Sequence, residues 1–346
     1  MELEKDLQII ANDIYNLNFS NSSIMITGST GLIGSLLVKG FLVANKEYNL
    51  NNKVFALVRN LTKAQDIFKN YLNNDNLIIV ENEITNPIDL NSNIDYIFHT
   101  ACVTTSSEMI SHPVELIKSS VCGTLNILEF AKNHSTKSIV YLSSMEVYGV
   151  INDQDERLKE NNLGFLNLTS VRSCYPESKR LNENLCKCYA EEYGINVSIA
   201  RLTQTFGAGV QLSDNRIFAL IAKSALNHNN IILKTTGESS HDYCYTTDAI
   251  SALLVLSKKA LKGETYNIAN EETYCSIYQM ADRVLKIFSP ENKVIIENSN
   301  NTMFSQDSFI KLDTSKLRDL GWTPKINLLE MYRKLISYYE DQYKMN

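Results

Sequence analysis

The stretch TGSTGLIG, residues 27–34, constrains the possible fold of this chain more than any other feature of its sequence. It places Gly28, Gly31 and Gly34 between an apolar run, SSIMI, and a segment of helical periodicity, LIGSLLVKGFLVA. Glycine permits a tight turn and a close approach of backbone to ligand, and the helix start behind it attracts phosphate. A strand, a glycine turn and a helix in this order predict a dinucleotide-binding unit.

Apolar runs and helical segments continue to alternate after this unit. The runs are KVFALVRN, LIIVENEIT, IDYIFHTACV, KSIVYLSS and INVSIARL. Because they are apolar on both faces, they predict parallel strands covered by helices on each side. The predicted fold is α/β, a Rossmann doubly wound parallel sheet with a smaller C-terminal substrate-binding lobe. The sheet domain would cover residues 1–203, with an N-terminal helix and a returning segment near 242–270, and the mixed α/β lobe residues 204–346.

Composition narrows the class of protein. The net charge of −6 argues against a nucleic-acid or anionic-membrane surface, and no apolar segment approaches the length of a membrane span. The seven cysteines are odd in number and include no CxxC pair, which is typical of reduced thiols. We therefore expect a cytoplasmic protein without a metal site. The first residues, MELEKDLQIIANDIYNLNF, predict an amphipathic helix packed on the outside.

The end of the second predicted strand bears on the choice of cofactor. Dinucleotide folds that bind NAD carry an acid there, but FALVRN offers Arg59 instead. An arginine fits the 2′-phosphate of NADP. The sequence therefore leans to NADP, with NAD as the alternative because loop backbone alone can bind it.

A catalytic pair is predicted in YPESK, where Tyr175 and Lys179 are four residues apart on one helix face. A nearby ammonium favours the phenolate, so a tyrosine of ordinary pKa of about 10 could serve as a base. About thirty residues earlier, LSSMEVYG ends a buried strand in polar groups. One of its serine hydroxyls could hold the oxygen of a substrate.

Together these motifs resemble the extended short-chain dehydrogenase/reductase family, in its NAD(P)-dependent nucleotide-sugar epimerase/dehydratase branch. The matching segments are TGSTGLIG, DYIFHTA, GTLNILEFA, YLSSMEVYG, YPESK, ARLTQTFG, YCYTTDAISALL and LGW followed by Pro324. The MEVYG loop and RSCY with KR also resemble UDP-glucuronate decarboxylases of the same branch. The resemblance implies an enzyme acting on a nucleotide-sugar through a 4-keto intermediate, in polysaccharide biosynthesis, as a homodimer.

The resemblance also implies roles for individual residues. Ser144 and Tyr175 would act on the sugar hydroxyl, and Lys179 would lower the pKa of Tyr175 and hold the nicotinamide ribose. The residues expected to line the cofactor are Gly28, Thr30, Gly31, Leu32, Ile33, Gly34, Arg59, Glu83, Ile84, His99, Thr100 and Ala101, together with Tyr175 and Lys179. Those expected at the substrate are Thr104, Ser144, Met145, Gln204, Arg216 and His241.

Several positions depart from the family pattern. Ser120 stands where the family often has Asn, Gln204 replaces Asn, and Ala208 replaces Pro. His241 stands where an arginine usually clamps the diphosphate, and a neutral imidazole gives up that fixed charge and bidentate donor. Another cation, Arg216 or Lys223, would then hold the diphosphate, or the ligand is not a standard nucleotide sugar.

Glu146 is the residue expected to separate the possible reactions. An epimerase needs no further base, whereas a 4,6-dehydratase needs an acid and a base, and a decarboxylase carries Glu at this place. In many 4,6-dehydratases Asp and Glu follow the catalytic serine or threonine. Met145 stands in place of that Asp, so the resemblance argues against a dehydratase of this type. Epimerisation is the leading expectation, followed by dehydration using Glu146, then decarboxylation or 4-keto reduction. A non-catalytic dinucleotide-binding protein, or a Glu146 that only braces its loop, is the remaining alternative.

Overall fold

The computed structural model describes residues 1–151, 156–297 and 307–345, with backbone alone for residues 106, 107 and 345. The helices are, in order, α1 Glu2–Asn16, α2 Leu32–Tyr48, α3 Leu61–Ile67, α4 Ser106–Ser111, α5 Pro113–Asn133, α6 Cys174–Tyr193, α7 Ile217–Leu226, α8 Thr246–Lys259, α9 Ile277–Phe288, α10 Ser315–Arg318 and α11 Leu328–Met345. The strands are β1 Ser23–Thr27, β2 Lys53–Val58, β3 Leu77–Glu81, β4 Tyr96–His99, β5 Ser138–Ser144, β6 Val197–Leu202, β7 Gln204–Phe206, β8 Ile231–Leu233, β9 Ser240–Tyr245, β10 Thr265–Ile268, β11 Asn270–Ser276, β12 Val294–Ile296 and β13 Phe309–Ile310.

The main sheet has seven parallel strands in the order β10-β6-β5-β4-β1-β2-β3. The chain order reverses beside β1, between β4 and β2, and ligands of such sheets bind at the carboxyl ends of the strands at this point. Thr27 of β1 pairs with His99 of β4, and His99 pairs with Tyr141 of β5. The predicted site residues at these strand ends are therefore brought to one edge.

Helices cover both faces of the main sheet, as the apolar strand runs require. One face packs on α1, α2 and α8, and the other on α5 and α6. At the α1–α2 contact, a Cβ added to Gly40 would lie 2.3 Å from Ile10 Cγ2. The missing side chain thus lets the N-terminal helix lie directly on the dinucleotide-binding unit.

A second core lies in the C-terminal half, around Phe206, Phe218, Tyr243, Tyr332 and Met280. A four-stranded sheet supports it, in which β9 lies between β11 and β13 and also pairs with β7. The predicted returning segment, 242–270, is divided between the two sheets. Strand β9 belongs to the small sheet, whereas α8 packs on the main sheet and β10 is one of its strands.

The helix α10 and the residues after it also return to the first core, which the sequence did not predict. Leu317 and Trp322 are buried there, and the Trp322 indole Nε1 donates to the carbonyl of Asp248 at 3.1 Å. The side-chain Oδ2 of Asp248 accepts from the backbone N–H groups of Lys325 and Ile326, each at 2.9 Å. These contacts fix the C-terminal segment across the first turn of α8.

Candidate active site

The glycine turn after β1 has the shape that a pyrophosphate needs. Gly28 has a φ of +62°, and a Cβ there would lie 2.7 Å from Ala101 Cα. A Cβ on Gly34 would lie 2.4 Å from the Gly28 carbonyl oxygen. Gly31 begins α2 without a side-chain cap, so first-turn N–H groups remain for an anion. Thr30, Leu32 and Ile33 are half-buried around the turn.

Hydroxyl groups join β1 to β4 directly behind this turn. Thr27 Oγ1 accepts from the Ala101 N–H at 3.1 Å and lies 2.8 Å from His99 Nδ1. The Thr100 hydroxyl donates to the Thr27 carbonyl at 2.7 Å. Burial, with the nearby Lys179 charge, lowers the pKa of His99 to about 3. His99 is therefore a neutral structural link beneath the predicted cofactor residues.

The predicted adenosine end is more open. Arg59 follows β2, is exposed, and has neither a hydrogen bond nor an ion pair with another described residue. Glu83 and Ile84 are half-buried after β3, and the Ile84 side chain fills the space above Gly123 of α5. The free guanidinium and the half-buried acid are both compatible with contacts to a nucleotide.

The predicted catalytic residues meet at the carboxyl end of β5. Ser144 ends that strand and lies beside Tyr175, which is in the first turn of α6. Lys179 is 3% exposed, its Nζ donates to the Leu142 carbonyl at 2.5 Å, and it lies 5.9 Å from the Tyr175 ring centre.

The surroundings of Tyr175 act on its pKa in both directions. Burial raises the pKa of Tyr175 well above its ordinary value, and the proximity of Cys102 and Glu146 raises it further. The Ser144 hydroxyl and the Arg172 charge act in the opposite direction. Without further positive charge, desolvation outweighs these groups, and Tyr175 holds its proton at neutral pH.

Glu146 forms an ion pair that sequence reasoning missed. Arg172 Nη2 lies 2.8 Å from Oε2 and 3.1 Å from Oε1 of Glu146, and the Glu146 side chain is 34% exposed. The Arg172 Nη1 is buried without a hydrogen-bond partner among the described residues, and the guanidinium lies 5.8 Å from the Tyr175 ring centre. The position of Arg172, three residues before Tyr175 in RSCY, was the available signal.

Burial raises the pKa of Glu146, while the charge and hydrogen bonds of Arg172 oppose that shift. The Glu146 N–H also donates to Ser144 Oγ at 3.2 Å, which closes the short turn after β5. Glu146 therefore both braces its loop and presents a carboxyl group near Tyr175. The arrangement can exchange a proton at the Glu146 carboxyl group and bind an anion at the Arg172 guanidinium.

A buried network of hydrogen bonds and an ion pair lies beneath the candidate site. The Ser143 hydroxyl donates to Glu183 Oε1 at 2.5 Å, and Arg201 contacts the same carboxylate at 2.9 Å from Nε and 2.6 Å from Nη2. Arg201 Nη1 donates to the Glu160 carbonyl at 2.6 Å. Each charge has several partners, as a buried ion pair requires, so β5, β6 and α6 are tied together beneath the site.

The model of the NAD dependent epimerase/dehydratase family matches residues 24–269. The chain belongs to this family. Its membership confirms the resemblance seen in the motifs and the prediction of an enzyme, and the seven-stranded sheet confirms the predicted fold class.

Curated relatives of this chain include UDP-glucuronic acid decarboxylases. UDP-glucuronic acid decarboxylase 6 of Arabidopsis thaliana is 30% identical over 315 residues, which are 90% of this chain and 87% of the relative. UDP-glucuronic acid decarboxylase 1 of Xenopus tropicalis is 25% identical over 92% of this chain and 72% of its own length.

Solved structures share the fold. UDP-glucuronic acid 4-epimerase from Bacillus cereus, in complex with UDP-glucuronic acid and NAD, has a TM-score of 0.75 at 20% identity, covering 93% of this chain and 100% of that one. dTDP-glucose 4,6-dehydratase from Bacillus anthracis, in complex with NAD, has a TM-score of 0.74 at 19% identity, covering 93% and 98%.

The predicted substrate residues of this family member are more dispersed. Thr104 is exposed and Gln204 is half-buried in β7. Met145 is buried, with its sulfur 3.3 Å from Thr203 Oγ1. Arg216, at the start of α7, is paired with Asp214 through contacts of 2.6 and 3.1 Å.

His241 occupies a closed position in β9. It is 4% exposed, its Nε2 lies 2.7 Å from Ser308 Oγ, and burial lowers its pKa to about 4. Its exposure gives no support to the predicted contact with a substrate. Lys223, the other cation considered, donates to the carbonyls of Leu212 and Asp214 at 3.1 and 2.7 Å.

Among the described residues, two surface cavities, of about 510 and 310 Å³, have no predicted site residue in their walls. The candidate site therefore rests on the arrangement of side chains at the sheet edge. No helix in the part of the chain that the structure describes combines the length and apolarity needed to cross a bilayer.

Proposed function

We propose that this protein catalyses NAD(P)-dependent decarboxylation of a nucleotide-activated uronic acid. The observation that carries the proposal is the Glu146–Arg172 pair beside Tyr175, with the buried Arg172 Nη1 left without a described partner. A guanidinium with a free N–H is suited to a carboxylate. A simple epimerase requires no such pair, so the pair moves decarboxylation ahead of the epimerisation expected from sequence. The names of the decarboxylase relatives support the same choice.

The chain's own residues supply the proton chemistry. Tyr175 would take the proton of the sugar C4 hydroxyl, Ser144 would hold that oxygen, and Lys179 would favour the phenolate. The dinucleotide, when bound, supplies the acceptor and later the donor of a hydride at C4, and its oxidised ring adds positive charge. That charge acts against the burial that raises the pKa of Tyr175.

Oxidation at C4 places the sugar carboxylate β to a ketone. Arg172 would orient this carboxylate, and the electrons of the broken carbon–carbon bond would pass into an enolate as CO2 leaves. Glu146, whose raised pKa makes its acid form accessible, would give a proton to C5. Tyr175 would return its proton as the ketone is reduced. The net change is one proton consumed and one CO2 released.

The deciding experiment incubates the purified protein with UDP-glucuronic acid and NAD or NADP, and analyses the product by mass and NMR. Loss of CO2 supports the proposal. Unchanged mass with inverted C4 would show an epimerase, and loss of water from UDP-glucose or dTDP-glucose would show a dehydratase. Dinucleotide binding without turnover on any UDP-, GDP-, CDP- or dTDP-sugar would show a non-catalytic binding protein.

The preference for NADP rests on Arg59 alone. Its exposed guanidinium lacks described partners and follows β2, where a 2′-phosphate would lie. The nucleotide released on denaturing the purified protein tests the preference, since NAD alone would remove the argument.

We further propose a homodimer through α5 and α6, which pack side by side. Their exposed apolar side chains include Val114, Ile117 and Leu181, which are 54%, 43% and 48% exposed. Light scattering after gel filtration tests this, and Leu181→Glu should shift the protein to a monomer. A monomeric wild type would overturn the proposal.

A cytoplasmic location is proposed from the seven cysteines, all of which are free thiols in the structure. Mass spectrometry of alkylated protein from cells tests it, and a disulfide present before lysis would count against this location.

A further inference from the structure

A buried ionic cluster lies outside the residues matched by the family, at the contact of α1 and α11. Lys334 Nζ contacts Glu2 Oε1 at 2.5 Å and Asp6 Oδ1 at 2.8 Å. All three side chains are at most 7% exposed. The other Asp6 oxygen, Oδ2, accepts from the Tyr245 hydroxyl at 2.5 Å. The N-terminal helix is thereby bonded to the end of β9.

Tyr245 also contacts the turn that follows β7. Its hydroxyl oxygen accepts from the Ala208 N–H at 3.2 Å. The expected family residue at this position is proline, which has no N–H to donate. A Cβ added to Gly207 would lie 2.7 Å from the Tyr245 ring and 2.4 Å from Thr246 Oγ1. The turn is therefore fitted closely to Tyr245 and held to it by one hydrogen bond.

The other side of the same turn faces the glycine-rich segment. Gly209 has a φ of +105°, and a Cβ there would lie 3.2 Å from Leu32 Cδ1. Leu32 is the first residue of α2, directly after Gly31, and packs against the cores of both lobes. The turn of residues 207–210 thus joins the small lobe to the helix start where a pyrophosphate would bind.

We propose that Asp6 and Tyr245 are positioning residues that hold the 207–210 turn against the start of α2, and thereby support tight binding of the dinucleotide. The second half of this statement rests on the proposed dinucleotide-dependent function. The Tyr245 hydroxyl donates to the Asp6 carboxylate and accepts from the buried Ala208 N–H, and this N–H would lose its partner if the turn moved. The helix α1 is therefore connected to the 207–210 turn through Tyr245.

The first test is hydrogen–deuterium exchange of the full chain without ligand. Tyr245→Phe removes the hydroxyl and keeps the ring, and Asp6→Asn keeps the size and removes the charge. Both should increase exchange of the Ala208 amide relative to wild type. Ile14→Val, on the same helix and fully buried, is the control, because it weakens packing without touching this network. Equal Ala208 exchange in all four proteins would overturn the inference.

The second test is the dissociation constant for NAD and NADP. Loss of one buried hydrogen bond corresponds to about a fivefold change in affinity, so Tyr245→Phe and Asp6→Asn should weaken binding by about fivefold. Ile14→Val should lower the unfolding temperature and leave affinity unchanged. Unchanged affinity in the first two variants would overturn the positioning role.

Failure of the proposed function would look different. A wild-type protein that binds neither dinucleotide would overturn the dinucleotide-dependent function and the affinity half of the inference. Increased Ala208 exchange in Tyr245→Phe would still support the structural link from α1 to the turn. If Tyr245→Phe does not fold, Asp6→Asn carries both measurements.

Discussion

The edge of the main sheet and strand β9 of the small lobe are built in different ways. At the edge, Ser144, Tyr175 and Lys179 follow strand ends or occupy one helix face, and their roles can be expected from short motifs. In β9, His241 pairs with Ser308 and Asp242 pairs with Arg157, both more than sixty residues away. The edge presents reactive groups, whereas β9 buries His241 and Asp242 beside these distant partners. This contrast predicts that changes at the edge alter chemistry and that changes at His241 and Asp242 alter stability.

The largest expected effect is the loss of the Tyr175 hydroxyl. Tyr175→Phe should lower turnover by about 10³-fold or more, because proton transfer at the sugar hydroxyl then has no acid or base. Dinucleotide affinity should change little. Tyr189→Phe on the same helix is the control, since its hydroxyl contacts Glu129. Full turnover in Tyr175→Phe would remove the contrast, because the edge would then not be the catalytic site.

The Glu146–Arg172 pair sharpens the contrast within the edge. Glu146→Gln should reduce steady-state CO2 release by about 10²-fold, because turnover stalls at the enolate when the C5 proton donor is lost, while cofactor reduction in a single turnover continues. Absorbance of the reduced nicotinamide and trapped CO2 measure the two steps. Glu177→Gln, which breaks a pair with Arg180 of similar exposure, is the control. Equal loss of both steps would contradict the separate role of Glu146.

A smaller effect is expected from Arg59→Ala. Loss of a charge-assisted contact to a 2′-phosphate should weaken NADP binding by about 10-fold and leave NAD binding nearly unchanged. Calorimetric titration with each cofactor measures this, and Lys63→Ala in α3 is a control for the loss of nearby positive charge. Equal weakening of NADP and NAD binding would show that Arg59 does not contact the 2′-phosphate.

Strand β9 offers a prediction about stability. Burial raises the pKa of Asp242 to about 7, although Arg157 and the Leu312 N–H oppose this. A folded-state pKa above the unfolded value of 3.8 gives stability that is present at low pH and is lost as pH rises through about 7.

Asp242→Asn should therefore lack this decline between pH 4 and 8, by an amount on the order of 1 kcal/mol, because solvent and structural relaxation limit the cost of the buried charge. Urea unfolding at several pH values measures it. A parallel pH dependence in wild type and variant would contradict the burial cost. If Asp242→Asn lowered turnover strongly and left stability nearly unchanged, Asp242 would take part in catalysis. The contrast between the sheet edge and β9 would then be wrong.

Much of the edge could be predicted from sequence because its signals are local. The glycine turn needs its own strand and helix, and Tyr175 and Lys179 need only one helix turn between them. Arg172 was missed because a charge before a helix has many possible partners, and only the fold brings it to Glu146.

The rest depended on contacts that no local pattern encodes. The Asp6–Tyr245 bond joins residues 239 positions apart, and Trp322, between two segments of the second lobe, packs in the first core. Spacing also shows the lysine that neighbours Tyr175 but not the extent of burial, which raises the pKa of Tyr175.

Ser143 and Ser144 are adjacent and identical in the sequence, but they are not interchangeable. Successive side chains of a strand point to opposite faces, so Ser143 reaches Glu183 in the interior and Ser144 reaches Tyr175 at the site. An alignment that slides by one position here would therefore transfer a catalytic assignment to a structural hydroxyl. In comparative annotation of relatives, the serine should be chosen by its distance from Glu146, with Ser144 two positions before it.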